Sequence, residues 1–307
     1  MTQTLVNQSF PLQVGENSQW QSFWCRSQDG LRLHNRYYKA RDTHSAAIPV
    51  VCLPGLTRNS ADFHELALEL STRKVKSRDV LAMDYRGRGR SDYDRNPANY
   101  DITVEMQDVL DVMTAFGMHH AIFIGTSRGG LITMAMSAMR PGVIKAAVLN
   151  DIGPVIEGAG LARIKGYVGK LPPPRDYADA VQLLKRIAGQ HFTASGEADW
   201  DRFARRTFKE KDGVLVPDYD RALMKSLESF DIEKPLPVLW PYFDGLKSVP
   251  VLSIRGANSD LLSANTQAEM AKRHPHCEIW VAEGEGHAPM LADRPSLQKI
   301  AAFVAGV

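Results

Sequence analysis

The fold is decided by the stretch Ala121-Ile122-Phe123-Ile124-Gly125-Thr126-Ser127-Arg128-Gly129. Its apolar first half is typical of a buried strand, and residues 128–139, rich in small residues and methionine, are typical of a helix. The G-x-S-x-G pattern between them predicts a sharp strand-to-helix turn, because only small residues fit where the chain approaches itself. Such a turn directs the serine hydroxyl toward a pocket, so Ser127 is a candidate nucleophile. The alternative interpretation is a glycine-rich start of an ordinary helix.

Strand and helix patterns alternate on both sides of this turn. Residues 19–25 and 31–40 predict a hairpin around Gln28-Asp29-Gly30. Apolar runs that predict further strands lie at residues 48–53, 79–83, 121–124, 144–149, 249–254 and 277–281. Helical spacing is found at residues 61–72, 103–117, 128–139, 263–273 and 294–305. This alternation predicts an α/β protein with a mostly parallel sheet covered on both faces.

The alternation is interrupted between residues 155 and 245. This segment shows no convincing strand and has helical stretches near 176–189, 198–209 and 217–228. We interpret it as an inserted helical cap over the carboxyl edge of the sheet, where ligands bind in open α/β sheets. The predicted organisation is therefore a core of residues 1–154 and 246–307 with a cap of residues 155–245.

A serine nucleophile needs a base and an acid that orients the base. On this type of sheet the chain order is serine, acid, histidine. Asp260 follows the strand predicted at 249–254, and His287 follows the strand predicted at 277–281. Both would lie at the same sheet edge as Ser127, so the expected triad is Ser127, Asp260 and His287. Asp151, which also follows a predicted strand, is the alternative acid.

These segments resemble the α/β-hydrolase family, and the resemblance covers nearly the whole chain. It includes the loop Asp84-Tyr-Arg-Gly-Arg-Gly-Arg-Ser-Asp92, whose role we take to be structural, with charges that pair locally. The resemblance implies an α/β-hydrolase fold and an oxyanion hole made by the backbone N–H groups of Leu56 and Arg128. Pro54 departs from the family pattern, in which a histidine commonly precedes Gly55.

The family resemblance implies an enzyme, a serine hydrolase that cleaves a small, largely apolar carboxylic ester or lactone through an acyl-enzyme. Two alternatives stay open: a carbon–carbon bond hydrolase of a vinylogous diketone, and a small-molecule receptor with weak or no turnover. Haloalkane dehalogenases and epoxide hydrolases of this family use an aspartate nucleophile. The serine at position 127 disfavours both of those chemistries.

Three side chains are expected to contact the substrate: Arg58, Tyr167 and Trp240. Arg58 lies two residues after Leu56, and Arg128 follows the nucleophile. Either guanidinium could hold a substrate carboxylate through paired hydrogen bonds. The alternative is that both arginines point away from the pocket or pair with acids such as Glu65 or Asp84.

Composition excludes several other classes of function. The formal net charge of +2, from 37 basic and 35 acidic residues, gives no electrostatic footprint for nucleic acid. No apolar run approaches the ~18 residues that a membrane helix needs, and we see no signal peptide. The three cysteines are widely spaced, and neither a metal cluster nor a cofactor motif is found. We expect a cytoplasmic enzyme with a small-molecule substrate and no cofactor, metal, nucleic-acid or membrane partner. The sequence does not indicate its oligomeric state.

Overall fold

The computed structural model describes residues 13–14, 19–42, 47–228 and 236–307. Nine of the described strands form one sheet, and two more form a separate hairpin. In chain order the strands are β1 (Gln13–Val14), β2 (Gln21–Arg26), β3 (Arg32–Tyr38), β4 (Val50–Leu53), β5 (Val80–Met83), β6 (Ala121–Thr126), β7 (Ile144–Asn150), β8 (Phe208–Lys211), β9 (Val214–Pro217), β10 (Val251–Gly256) and β11 (Cys277–Ala282).

The helices alternate with these strands along the chain. They are α1 (His64–Thr72), α2 (Ile102–Ala115), α3 (Arg128–Met139), α4 (Gly158–Tyr167), α5 (Tyr177–Ala188), α6 (Glu197–Thr207), α7 (Lys225–Glu228), α8 (Trp240–Asp244), α9 (Ala264–Arg273) and α10 (Arg294–Ala305). Several begin at a side-chain cap. Asp101, for example, accepts from the Thr103 N–H at the start of α2, which satisfies a donor that the helix itself cannot.

The main sheet has the order β1-β2-β3-β5-β4-β6-β7-β10-β11. Its first three pairings are antiparallel, and all pairings from β5 to β11 are parallel. The predicted α/β class and the mostly parallel sheet are thus confirmed. The carboxyl ends of β6, β7, β10 and β11 meet at one edge, which brings the loops after them together.

Side chains of the central strands alternate between two buried cores. In β4, Val51 and Leu53 pack on the face covered by α2 and α3, and Val50 and Cys52 pack on the face covered by α1 and α10. Each fully buried aliphatic side chain contributes roughly 1.5–3 kcal/mol of transfer free energy. The sheet that carries the site is therefore held from both faces. Burial also raises the pKa of the Cys52 thiol, which behaves as a small hydrophobe.

The segment from α4 to α8 lies between β7 and β10, which are neighbours in the sheet. It is mainly helical, but the expectation that it lacks strands is wrong: β8 and β9 form an antiparallel hairpin. The turn between them is Asp212-Gly213, with φ of 53° and 75°, as two-residue hairpin turns require. We keep residues 155–245 as a proposed cap.

The described residues contain no cluster of three or more His, Cys, Asp or Glu side chains arranged to hold a metal ion. Among the described helices, none has both the length and the apolarity to cross a membrane.

Candidate active site

Ser127 occupies the sharp turn between β6 and α3. Its φ of 49° and ψ of −108° are rare for a residue with a side chain, and such a conformation costs on the order of 1–3 kcal/mol. The turn is held by the Ser127 N–H, which donates to the Asn150 carbonyl at 2.9 Å. A Cβ on Gly125 would lie 2.5 Å from the backbone of Gly129, and one on Gly129 would collide with the Leu53 carbonyl. The glycines of the motif are thus required by close packing, as predicted.

His287 lies in the loop after β11 and faces the serine. Its Nε2 atom is 2.9 Å from Ser127 Oγ, and its Nδ1 atom is 2.7 Å from Asp151 Oδ2. The imidazole is nearly buried. With Nδ1 protonated toward the carboxylate, Nε2 is free to accept the serine proton.

The partner of His287 is Asp151 and not Asp260, which corrects the expected contact. Asp151 is fully buried and directly follows β7 with φ of 54°. Its Oδ1 accepts from the Gly256 N–H at 2.7 Å, and its Oδ2 also accepts from the Ser259 hydroxyl at 2.6 Å. The loop after β10, which we expected to supply the acid, instead supplies two donors that orient the acid from the neighbouring strand.

Asp260 forms an ion pair with a helix of the proposed cap. Its two carboxylate oxygens accept from Arg163 Nε at 2.6 Å and Nη2 at 2.8 Å. Burial raises the pKa of Asp260, but the hydrogen bonds and charge of Arg163 outweigh it and lower the pKa below its usual value. Asp260 lies four residues after the end of β10, far enough along the loop to face α4.

One expected oxyanion donor directly follows the nucleophile in the chain, and the other lies in the loop after β4. Arg128 is the first residue of α3, so its N–H has no acceptor within that helix. Leu56 lines the same two cavities as Ser127. Its carbonyl is held by Arg88 Nε at 2.8 Å. Leu56 and Arg128 line the larger cavity together with Ser127, and their role as oxyanion donors stays a prediction.

Two cavities meet at Ser127. The larger has a volume of about 670 Å³ and a mainly apolar described lining that includes Leu131, Ile152, Ile156, Leu161 and Leu261. The smaller, about 160 Å³, also contains His287, and its lining includes four arginines, namely Arg58, Arg163, Arg202 and Arg206. Two different spaces thus adjoin Ser127: one has a mainly apolar lining, and the other combines apolar side chains with four arginines.

The expected substrate contacts are only partly placed in these cavities. Arg58 and Tyr167 line the smaller one, but Arg58 Nε and Nη2 donate to Asp62 at 2.7 and 2.6 Å, and its Nη1 donates to Thr207. Each nitrogen of the Arg58 guanidinium therefore has a hydrogen-bond partner within the protein. The Arg128 guanidinium donates to Glu105 and to the Tyr100 carbonyl, so it pairs with an acid other than those we named.

Trp240 is wrongly assigned as a substrate contact. Its ring packs against Phe243 with centroids 6.0 Å apart, and the Arg273 guanidinium lies 5.0 Å from its centroid. It lines neither of the two cavities among the described residues. Trp240 instead packs against the edge of the hydrophobic core, in the helix α8 that contacts α3.

A second Ser–His–Asp arrangement lies elsewhere in the molecule. His34 Nε2 is 3.1 Å from Ser22 Oγ, and His34 Nδ1 is 2.7 Å from Asp84 Oδ2. Burial raises the pKa of Asp84, but the hydrogen bond and charge of His34 outweigh it and lower the pKa to about 2. Sequence reasoning did not predict this group, because Ser22 and His34 lie on paired strands with no distinguishing motif.

Comparison with known proteins supports the family resemblance. The model of the alpha/beta hydrolase family matches residues 50–298. The chain is 27% identical over 289 residues to a 3-hydroxybutyrate-oligomer hydrolase of Cupriavidus necator, with 92% of this chain and 96% of that protein covered. It is 28% identical to a 2-(acetamidomethylene)succinate hydrolase of Mesorhizobium japonicum, covering 76% and 79% of the two chains.

A solved structure gives the same result at the level of the fold. The crystal structure of an alpha/beta hydrolase from Novosphingobium aromaticivorans superimposes with a TM-score of 0.87 and 38% identity, covering 94% of this chain and 99% of that one. The family model covers most of the chain, and the relatives are named as hydrolases. The chain therefore belongs to the alpha/beta hydrolase family.

Proposed function

We propose that the protein hydrolyses a small carboxylic ester through an acyl-enzyme, with Ser127 as nucleophile, His287 as base and Asp151 as the acid that orients the base. The observation that carries this proposal is the continuous relay from Asp151 through His287 to Ser127, with contacts of 2.7 and 2.9 Å, which ends at a serine lining two cavities.

In the proposed reaction Ser127 Oγ attacks the ester carbonyl carbon as its proton passes to His287 Nε2. The carbonyl electrons move to oxygen, and the N–H groups of Leu56 and Arg128 stabilise the negative charge. The intermediate collapses, the carbon–oxygen bond breaks, and the leaving alkoxide takes the proton from His287. A water molecule then repeats the sequence on the acyl-enzyme and releases the acid. Asp151 stabilises the imidazolium that forms in both halves.

The two cavities suggest the size and polarity of the substrate. The apolar cavity of about 670 Å³ suits a medium-sized hydrocarbon portion, as our sequence-based expectation of a largely apolar ester or lactone requires. The smaller cavity, in which arginines adjoin apolar side chains, suits a short group that carries hydrogen-bonding oxygens. The names of two relatives, a hydroxybutyrate-oligomer hydrolase and a substituted succinate hydrolase, support short oxygen-rich substrates as the first class to test.

A substrate panel tests the proposal. We expect turnover of 4-nitrophenyl butyrate and of a dimeric ester of a 3-hydroxy acid, each with kcat/KM well above that for a vinylogous dienone acid. A higher kcat/KM for the dienone acid would instead favour carbon–carbon bond hydrolysis.

Labelling with a fluorophosphonate separates an enzyme from a receptor. We expect stoichiometric phosphonylation of Ser127, located by peptide mass spectrometry, because the reagent needs an activated serine. A folded protein that neither reacts with the probe nor turns over any ester would overturn the proposal and leave the receptor interpretation.

A further inference from the structure

Glu105 is a fully buried carboxylate in α2 that binds two arginines. Its Oε1 accepts from Arg88 Nη1 at 2.5 Å, and its Oε2 accepts from Arg128 Nε at 2.5 Å. Arg88 is itself fully buried. Removing one partner from such a group leaves uncompensated charge in a medium that solvates it poorly, so the three side chains fix one another.

Each arginine continues to one half of the proposed oxyanion hole. Arg88 Nε donates to the Leu56 carbonyl at 2.8 Å, and the Leu56 N–H is one proposed donor. Arg128 carries the other proposed donor on its own backbone, and its Nη2 also donates to the Tyr100 carbonyl at 2.9 Å. The two donors lie on loops after different strands, β4 and β6, and no covalent link sets their spacing.

We propose that Glu105 is a positioning residue of the oxyanion hole, which sets the spacing and direction of the Leu56 and Arg128 N–H groups through Arg88 and Arg128. Fixing a carbonyl restrains the N–H of the same residue through the shared Cα, and a misplacement of about 1 Å in a preorganised site costs on the order of 10²-fold in rate. The inference rests on the proposed function.

The charge state of the cluster agrees with this role. Burial raises the pKa of Glu105, but the charges of Arg128 and Arg88 outweigh it and lower the pKa below its usual value. The cluster holds one carboxylate and two guanidinium groups, and Arg88 Nη2 has no hydrogen-bond partner among the described residues. The cluster thus carries net positive charge in contact with the residues that hold the two proposed donors, and this charge favours an anion bound by those donors.

The same helix supplies a matched control. Asp108 lies three residues after Glu105 in α2 and binds Arg86 of the same loop that carries Arg88, through two contacts of 2.7 Å. Asp108 and Arg86 are both nearly fully buried. The Arg86 side chain donates to Asp29, Asp94 and Asp108 and, among the described residues, not to Leu56 or Arg128, although its carbonyl accepts from Arg88 Nη1 at 2.7 Å. Asp108→Asn therefore perturbs a neighbouring buried ion pair and leaves the contacts of Glu105 in place.

The experiment compares Glu105→Gln with Asp108→Asn on 4-nitrophenyl butyrate, using active-site-titrated enzyme. We expect Glu105→Gln to lower kcat about 10- to 100-fold with KM within about threefold, because the lost interaction acts in the transition state. Binding of a trifluoromethyl ketone, whose hemiketal oxygen occupies the hole, should weaken by the same factor. Asp108→Asn should lower thermal stability but keep kcat within about twofold of wild type.

Arg88→Met tests the arm to Leu56 separately and leaves the Glu105–Arg128 pair in place. We expect a kcat loss of the same order, with a KM close to that of wild type. The inference fails if either folded variant keeps wild-type kcat and inhibitor affinity, or if Asp108→Asn loses as much kcat as Glu105→Gln. The proposed function would fail on a different result: the wild-type protein would show no esterase turnover, or Ser127→Ala would keep that turnover.

Discussion

The molecule contains two Ser–His–Asp relays whose hydrogen bonds are almost alike. In the first, Ser127, His287 and Asp151 are joined at 2.9 and 2.7 Å, and in the second Ser22, His34 and Asp84 are joined at 3.1 and 2.7 Å. The difference is in the serines. Ser127 has a φ of 49° and lines two cavities. Ser22 is the second residue of β2, where strands pair on both sides of it, and it is 5% exposed.

Three side chains in hydrogen-bond contact do not by themselves make an active site. A nucleophile also needs a backbone turn that brings its hydroxyl to a cavity and places anion-binding N–H groups beside it. The Asp84 carboxylate instead accepts from the N–H groups of Ser60 and Arg90, at 2.7 and 3.1 Å. The second relay therefore holds the loop after β5 against the start of α1.

The largest expected difference between the relays is in turnover. Ser127→Ala should lower kcat by roughly 10⁴- to 10⁶-fold, because the acyl-enzyme can no longer form. Ser22→Ala should keep kcat within about twofold, because Ser22 lines neither of the two cavities described at Ser127. Both are measured on 4-nitrophenyl butyrate with folding checked by circular dichroism. A large kcat loss in Ser22→Ala would break the comparison.

The next largest expected difference is in kcat between variants of two acids, Asp151 and Asp260. Asp151→Asn should lower kcat by on the order of 10⁴-fold, since the imidazole loses its orienting charge and preferred tautomer. Asp260→Asn should lower it by less than about tenfold, because Asp260 bonds Arg163 rather than His287. Steady-state kinetics on the two variants decide between these acids, and the opposite ranking would restore the assignment expected from the sequence.

The second relay should affect stability rather than turnover. Asp84→Asn removes the charge from a buried group that binds His34 and two backbone N–H groups, and we expect a loss of about 3 kcal/mol in the free energy of unfolding. The activity per folded molecule should stay near that of wild type. Urea unfolding monitored by fluorescence, combined with active-site titration, measures both quantities.

The same carboxylate predicts the direction of a pH effect. The pKa of Asp84 is lowered to about 2 in the folded protein, so its stabilisation is complete above the unfolded value of about 4 and is lost as the pH falls toward 2. The wild-type protein should lose about 2 kcal/mol more than Asp84→Asn across this window. The prediction is contradicted if the unfolding free energies of the two proteins change by the same amount between about pH 4 and about pH 2.

The smallest expected effect on kinetics is that of Arg58, which lines the smaller cavity next to Ser127 and His287. Asp62 accepts from Nε and Nη2 of Arg58 and Thr207 accepts from Nη1, so each guanidinium nitrogen already has a partner and its charge is paired with Asp62. Arg58→Met should therefore change the ratio of kcat/KM for a neutral ester and its carboxylate-bearing analogue by less than about threefold. A tenfold shift against the acidic ester would show that Arg58 recognises the substrate.

Much of the architecture could be predicted from the sequence, because it follows from local patterns. Apolar runs fixed the central strands, and the G-x-S-x-G motif gave the turn at Ser127 with its glycines. The hairpin of β8 and β9 was missed although Asp212-Gly213 is a strong turn signal, because its strands are short and partly exposed. A search for that dipeptide between alternating residues would have found it.

The acid could not be predicted by such patterns. Asp151 and Asp260 both follow strands that end at the same sheet edge, so chain order allows either. The choice depends on which carboxylate receives hydrogen bonds that point it at His287. Those donors, the Gly256 N–H and the Ser259 hydroxyl, come from a loop more than a hundred positions away in the chain. The proposed role of Glu105 is hidden for the same reason, since its two partners, Arg88 and Arg128, lie on two other segments of the chain.

Because Asp151 and Asp260 have different partners, the substrate specificity of this protein can change independently of the contact between Asp151 and His287. Orienting the histidine and fastening α4 to the core are tasks of two carboxylates on two loops. Changes at Arg163 or Asp260 can therefore reshape the wall of the smaller cavity while the histidine keeps its partner. Single substitutions in this wall can therefore change substrate specificity without a loss of activity at any intermediate step.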